Sequence, residues 1–197
     1  MEAANLNPYH EVIFNKLGIA YSRLLMYPQA ERAVERSVAL NPSYPFAYNT
    51  LGIIRLAQKD VKGAVRHLRK AIGLSPRIAS FHVNLGHSYM QANEFEKARQ
   101  AYLAALALDP KIFAKREIIK LPYPAQETAD PERHYQMARF FAETGDTDTC
   151  LAHFGKALAA GFIDAQRLMA DKAFGSMLDN EDFVRLAESY GLSVKKP

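Results

Sequence analysis

Residues 49–76 read "NTLGIIRLAQKDVKGAVRHLRKAIGLSP", with Gly52 inside an apolar helical pattern and Pro76 where that pattern stops. Glycine in a helix interior costs about 1 kcal/mol against alanine, so one kept there needs a purpose. Both features return when the chain is shifted by 34 residues against itself. Leu17-Gly18 falls on Leu51-Gly52 and on Leu85-Gly86, Ala30 on Ala64 and Ala98, and Pro42 on Pro76 and Pro110. Three units follow: 11–44, 45–78 and 79–112.

Each unit predicts two helices. A large residue stands one turn before the Leu-Gly pair (Phe14, Tyr48, His82), and a second follows the glycine by three (Tyr21 and Tyr89, with Arg55 in the middle unit). The second helix carries a small, a large and a small residue: Ala30/Val34/Ser37, Ala64/Leu68/Ala71 and Ala98/Tyr102/Ala105. Spacings of four and three put each trio on one helical face. The glycine lets the second helix approach closely, with the small alanine facing it. The proline then ends that helix, because it clashes with a continuing turn and biases the residue before it away from helical geometry.

This period, with these positions, resembles the tetratricopeptide repeat. The resemblance covers residues 11–112 in register. It implies an all-α chain, an α-solenoid of stacked antiparallel helix pairs wound into a superhelix. The flanks depart from the pattern to different degrees. Residues 1–10 contain "NLNP", which echoes Leu40-Asn41-Pro42 as the tail of a preceding repeat would, so the N-terminus looks truncated. Residues 113–130 break the register as an inserted strap. Residues 131–160 return as a degenerate fourth unit, with Met137-Ala138 for Leu-Gly and Cys150/Phe154/Ala157 as its trio. Residues 161–197 leave the pattern and predict two capping helices, over 171–178 and 180–191, with Asp171 and Asn180 as their N-caps.

Composition narrows the function. At 197 residues and 49% hydrophobic, the chain can bury a sizeable core. It has no apolar run long enough to cross a bilayer, and "MEAANLNPYHEVIF" lacks the pattern of a secretory signal. The single cysteine, Cys150, excludes an internal disulfide and fits a reducing compartment, which favours the cytoplasm. Its place in the fourth trio reads as a small core residue. Residues 1–112 hold 14 basic against 8 acidic residues, and 113–197 hold 11 against 13, an imbalance too mild to declare a nucleic-acid binder. Lys59, Lys62, Arg66, Arg69 and Lys70 gather on one face of the second unit, but Pro28 and Glu96 take the Lys62 position in its neighbours. A solvated face is the first reading of that run, an acidic protein partner the next, and nucleic acid the weaker alternative.

Catalytic signatures are missing. Neither a zinc-protease, a nucleophile-elbow nor a phosphate-loop pattern occurs. His82 and His87 are five apart and off a common helical face, while His82 and His134 fall in the aromatic core slot as hydrogen-bonded core histidines. No catalytic residue, cofactor or metal is expected, and the chain reads as a non-enzyme.

The resemblance carries the remaining expectations. In the family, five positions of each first helix line a concave groove. Here they give Val12, Asn15, Ile19, Ser22 and Arg23 in the first unit, and Phe46, Asn49, Ile53, Leu56 and Ala57 in the second. The third gives Ser80, Val83, His87, Met90 and Gln91, and the fourth Glu132, Tyr135, Arg139, Ala142 and Glu143. The apolar members would form a floor, and Asn15 and Asn49 would hold a peptide backbone. The strap or a second copy of the chain would compete for the same floor. The positions that form a chaperone-tail clamp in some relatives hold Asn15, Ile19, Thr50, Ser80 and Asn84. None is a cation, so chaperone-tail binding is not expected. The leading expectation is a non-catalytic scaffold that binds a protein or peptide partner in the groove. The alternative is an accessory segment of a larger enzyme or a secretion or assembly complex.

Overall fold

The computed structural model describes residues 10–114 and 130–194 and divides into two compact units, 1–125 and 126–197. The remnant read in residues 1–10 and the strap read in 113–130 lie almost wholly outside the described residues. The described residues are helical, with no strand.

The first unit holds three helix pairs: α1 His10–Arg23 with α2 Tyr27–Leu40, α3 Pro45–Ala57 with α4 Val61–Leu74, and α5 Ala79–Gln91 with α6 Phe95–Leu108. A short 3₁₀ turn, Ile112–Ala114, follows. Each helix packs on its hairpin partner, and α2 on α3 and α4 on α5 join the pairs, which therefore stack in chain order. Ala30 and Val34 of α2 bury against Ala47, Leu51 and Ile54 of α3, with Tyr21, Tyr27, Val38 and Tyr44 closing over them. At about 25 cal/mol per Å² of apolar surface, this is the term that makes short helices persist.

At the glycines the partner helix leaves no room for a side chain. A Cβ on Gly18 would stand 2.2 Å from Cγ2 of Val34, one on Gly52 2.6 Å from Cγ of Leu68, and one on Gly86 2.3 Å from Cε1 of Tyr102. The sequence pattern has the alanine of each trio facing the glycine; the structure puts the large residue there. Ala30 and Ala64 contribute backbone carbonyls at 3.1 and 3.3 Å instead.

The prolines end the second helices through the residue before them. Asn41, Ser75 and Asp109 each cap a helix with φ near −145° and precede Pro42, Pro76 and Pro110 (φ −142°, −147° and −148°). Those prolines also offer a repeated contact. Tyr48 Oη donates to the Pro42 carbonyl at 3.1 Å, and 34 residues later His82 Nε2 lies 2.8 Å from the Pro76 carbonyl. A third repeated feature lies in the turn between the helices, where Leu25, Lys59 and Asn93 adopt left-handed backbone (φ 59°, 65° and 58°).

The second unit pairs α7 Pro131–Thr144 with α8 Thr147–Ala159, joined through Gly145 at φ 78°. It continues with α9 Ala165–Ala170, two 3₁₀ turns (Lys172–Phe174 and Met177–Asp179) and α10 Glu181–Ser189. The helix expected over 171–178 is therefore two 3₁₀ turns. Phe174 and Met177, three residues apart, are both buried, a spacing that the 3₁₀ period serves. Asp171 and Asn180 act as caps, accepting from the Ala173 and Phe183 amides. Phe154 stacks on Phe183 with centroids 4.3 Å apart, and Phe174 completes the aromatic core.

Candidate functional site

The first helices α1, α3 and α5 carry the residues that the family assigns to a groove, and packing treats them unequally. On α1, Val12 and Ile19 are half-buried, Arg23 is exposed, and Asn15 and Ser22 are buried. On α3, Ile53 and Leu56 are buried at 3% and 1% exposure, Asn49 and Ala57 are half-buried, and Phe46 stands 43% exposed. On α5, Val83 and Met90 are buried, while Ser80, His87 and Gln91 are half-buried. The accessible apolar surface on this face centres on Phe46, with Val12 and Ile19 beside it in the register.

The Phe46 ring is held in place. It meets Phe81 edge-on at 5.4 Å and Tyr44 at 5.6 Å. Asn49 is tied to the next pair, since Asn84 Nδ2 donates to its Oδ1 at 2.8 Å. Thr50 donates to the Phe46 carbonyl at 2.9 Å, which turns its hydroxyl into its own helix. Asn15 differs from Asn49: its Oδ1 is buried and finds no hydrogen-bond partner among the described residues, as is the case for Ser22 Oγ further along the helix.

His87 is drawn inward. Its Nδ1 lies 3.1 Å from Tyr102 Oη, the two rings meet edge-on at 5.5 Å, and burial pulls its pKa down to about 4. The ring is therefore neutral at pH 7, and the same burial keeps the Tyr102 phenol protonated. The five-residue spacing to His82 does not bring the two histidines together, because His82 points to the Pro76 carbonyl.

In the second unit the fourth set of groove positions is engaged by residues of the C-terminal elements. Tyr135 Oη donates to Asp171 Oδ2 at 2.8 Å, and Arg139 Nε reaches the same oxygen at 3.0 Å while its Nη2 meets Glu143 at 3.5 Å. Arg167 makes a two-pronged contact with Glu132, 2.7 Å on each prong, and lies 4.2 Å over the Tyr135 ring. The guanidinium holds the Glu132 carboxyl below its ordinary range. Asp171 and Arg167 are the partners that sequence spacing alone does not reveal; the only signal was Asp171 as a cap. His134 is half-buried with its Nδ1 3.2 Å from that of His153, so its partner is another histidine. Cys150 is buried in the α7–α8 contact, and desolvation pushes its thiol up to about 12.

Among the described residues, no group of three or more His, Cys, Asp or Glu is arranged to hold a metal ion, and no helix is long and apolar enough to cross a membrane.

Comparison with known proteins places the fold. No curated protein sequence matches the chain. Among solved structures, YrrB, described as a TPR protein with an unusual peptide-binding site, superposes with a TM-score of 0.54 at 15% identity, over 93% of this chain and 86% of that one. TTC0263, a thermophilic TPR protein of Thermus thermophilus, gives 0.52 at 20% identity over 94% and 93%. MamA gives 0.51 at 21% identity over 78% and 80%. These likenesses bear on the fold. The sequence profile of the tetratricopeptide repeat matches residues 15–77 and again 49–111, the stretch that holds the three stacked pairs. The chain belongs to the tetratricopeptide repeat family.

Proposed function

We propose that this chain is a non-catalytic interaction scaffold whose first-helix face, centred on Phe46, takes a peptide or helix of a partner protein. The observation that supports this most directly is the exposure of Phe46 at 43%, on a ring already fixed by Tyr44 and Phe81. A rigid aromatic anchor loses little side-chain entropy on binding, which is why such residues dominate interface energies. Val12 and Ile19 extend the apolar contact, Asn49 and Asn15 supply amides, and Arg23 offers an exposed cation at the edge. The deeper residues Ile53, Leu56, Val83 and Met90 support the surface from below.

The test is photo-crosslinking from an unnatural aromatic residue at position 46, compared with one at Gln29 on α2. The site-46 probe is expected to capture a defined partner that the Gln29 probe does not. Phe46→Glu is expected to abolish recovery of that partner while leaving the far-UV spectrum unchanged. Equal recovery by both probes, or by the parent and Phe46→Glu, would overturn this assignment of the surface.

A further inference from the structure

The outer face of α4 carries a run of cations that its two counterparts lack. Lys62, Arg66 and Arg69 stand opposite Ala64, Leu68 and Ala71, with Lys70 beside them and Lys59 in the turn before the helix. All five are exposed, and none makes an ion pair among the described residues. Lys70 Nζ lies 5.9 Å over the Tyr48 ring, which leaves its charge in place. α4 itself contains no acidic residue. Asp60, at its start, is occupied in capping Gly63 N at 2.9 Å and facing Arg55 at 3.9 Å.

The internal repeat supplies the control. α6 fills the same place in the third pair and neutralises its cations: Lys97 pairs with Glu94, and Arg99 Nη1 with Glu96 at 3.4 Å. α2 carries Arg32 and Arg36 in register with Arg66 and Lys70, but interleaves them with Glu31 and Glu35. Three helices thus serve one packing role, and one of them is all positive. Like charges three and four residues apart destabilise a helix by about 0.2–0.5 kcal/mol per pair, and fold stability does not require them here. Within the unit, burial holds the pKa of His67 down, Arg66 of the patch and Arg55 of α3 add to it, and Asp60 and Glu35 oppose it.

We infer that the outer face of α4 is a docking surface for an acidic segment of a partner protein, whose carboxylates match cations set one helical turn apart. This surface lies on the second helices and is independent of the Phe46 face. An acidic peptide fits better than a nucleic acid because the cations are confined. α4 spans about 21 Å, and the matching faces of α2 and α6 do not continue its cations, so a longer phosphate backbone has no charged path beyond the patch.

The test is fluorescence polarisation at low salt with a labelled peptide of four Glu-Glu-Ala-Ala repeats, amidated at its C-terminus so that no terminal carboxylate contributes. Its Gln-for-Glu counterpart and a 16-nucleotide oligothymidylate serve as references. The full chain is expected to bind the Glu peptide, to ignore the Gln peptide, and to lose about tenfold in affinity between 50 and 300 mM salt. The Arg66→Glu/Lys70→Glu variant, changed only at exposed positions, is expected to lose about tenfold as well, whereas Arg185→Glu in the second unit keeps parental affinity. No binding of the Glu peptide, an affinity within twofold of the parent in Arg66→Glu/Lys70→Glu, or tighter binding of the oligothymidylate would each overturn the inference.

Discussion

Glycine has opposite value at two places in this chain, and the surroundings decide which. Gly86 meets the Tyr102 ring at 2.3 Å from where a Cβ would sit, and Tyr102 is wholly buried. Gly86→Ala is expected to destabilise the first unit by about 1–3 kcal/mol, as overpacking does, read as a lower urea midpoint. Gly73, on exposed α4 surface, would meet nothing within 4 Å. Gly73→Ala is expected to raise stability by about 0.5–1 kcal/mol through helix propensity alone, read as a higher midpoint. At the same scale, His87 makes stability depend on pH. Its folded pKa is about 4, below the ordinary 6.5, so the unfolded chain binds the extra proton first as pH falls. The stabilising contribution is whole above pH 6.5 and is lost progressively towards pH 4, to a limit of roughly 3 kcal/mol. Thermal melts of the parent between pH 7 and 4.5 are expected to fall more steeply than those of His87→Gln.

Among the elements, the turn between α1 and α2 is the one least suited to its conformation. Lys59 and Asn93 hold the same left-handed backbone in their units, and Gly145 does so in the second unit, but the first unit places Leu25 there at 60% exposure. A branched side chain in that region costs about 1–2 kcal/mol relative to glycine. Leu25→Gly is expected to stabilise by roughly 1 kcal/mol, measurable as a rise in melting temperature. The 34-residue spacing made the helix pairs, their boundaries and the place of this turn readable, because each follows from local rules of glycine, proline and apolar period. It could not show how deeply each groove position would sink. Ile53 and Phe46 occupy comparable places in the pattern, yet one is buried and the other exposed, because burial depends on what adjacent pairs bring. Nor could it place Arg167 or Asp171 against α7, since those contacts join residues 35 and 36 positions apart outside the repeat. Asp171→Ala removes the acceptor of Tyr135 Oη, the partner of Arg139 and the cap of Ala173 together. A loss of about 2–4 kcal/mol from the second unit is expected on denaturation.

At the scale of the whole first unit, stability is expected to be graded in the way repeat arrays grade it, each of its three pairs leaning on its neighbours. α3 buries seven residues, including Leu51, Ile53, Ile54 and Leu56, whereas α1 buries Asn15, Gly18 and Ser22 and leaves Ile13 and Leu17 exposed at 52% and 41%. Hydrogen exchange read by mass spectrometry should therefore find α1 opening first within the first unit and α3 last. Equal protection of the two would show that the first pair gains its stability from a source other than core burial.

Cys150 has a practical consequence. The chain has one thiol, shielded from solvent and with its ionisation pushed up to about 12, so almost none of it is thiolate at neutral pH. A cysteine introduced at any exposed position would outcompete it for a maleimide dye. The natural chain can thus be tagged at a chosen point, without first deleting its own sulfhydryl.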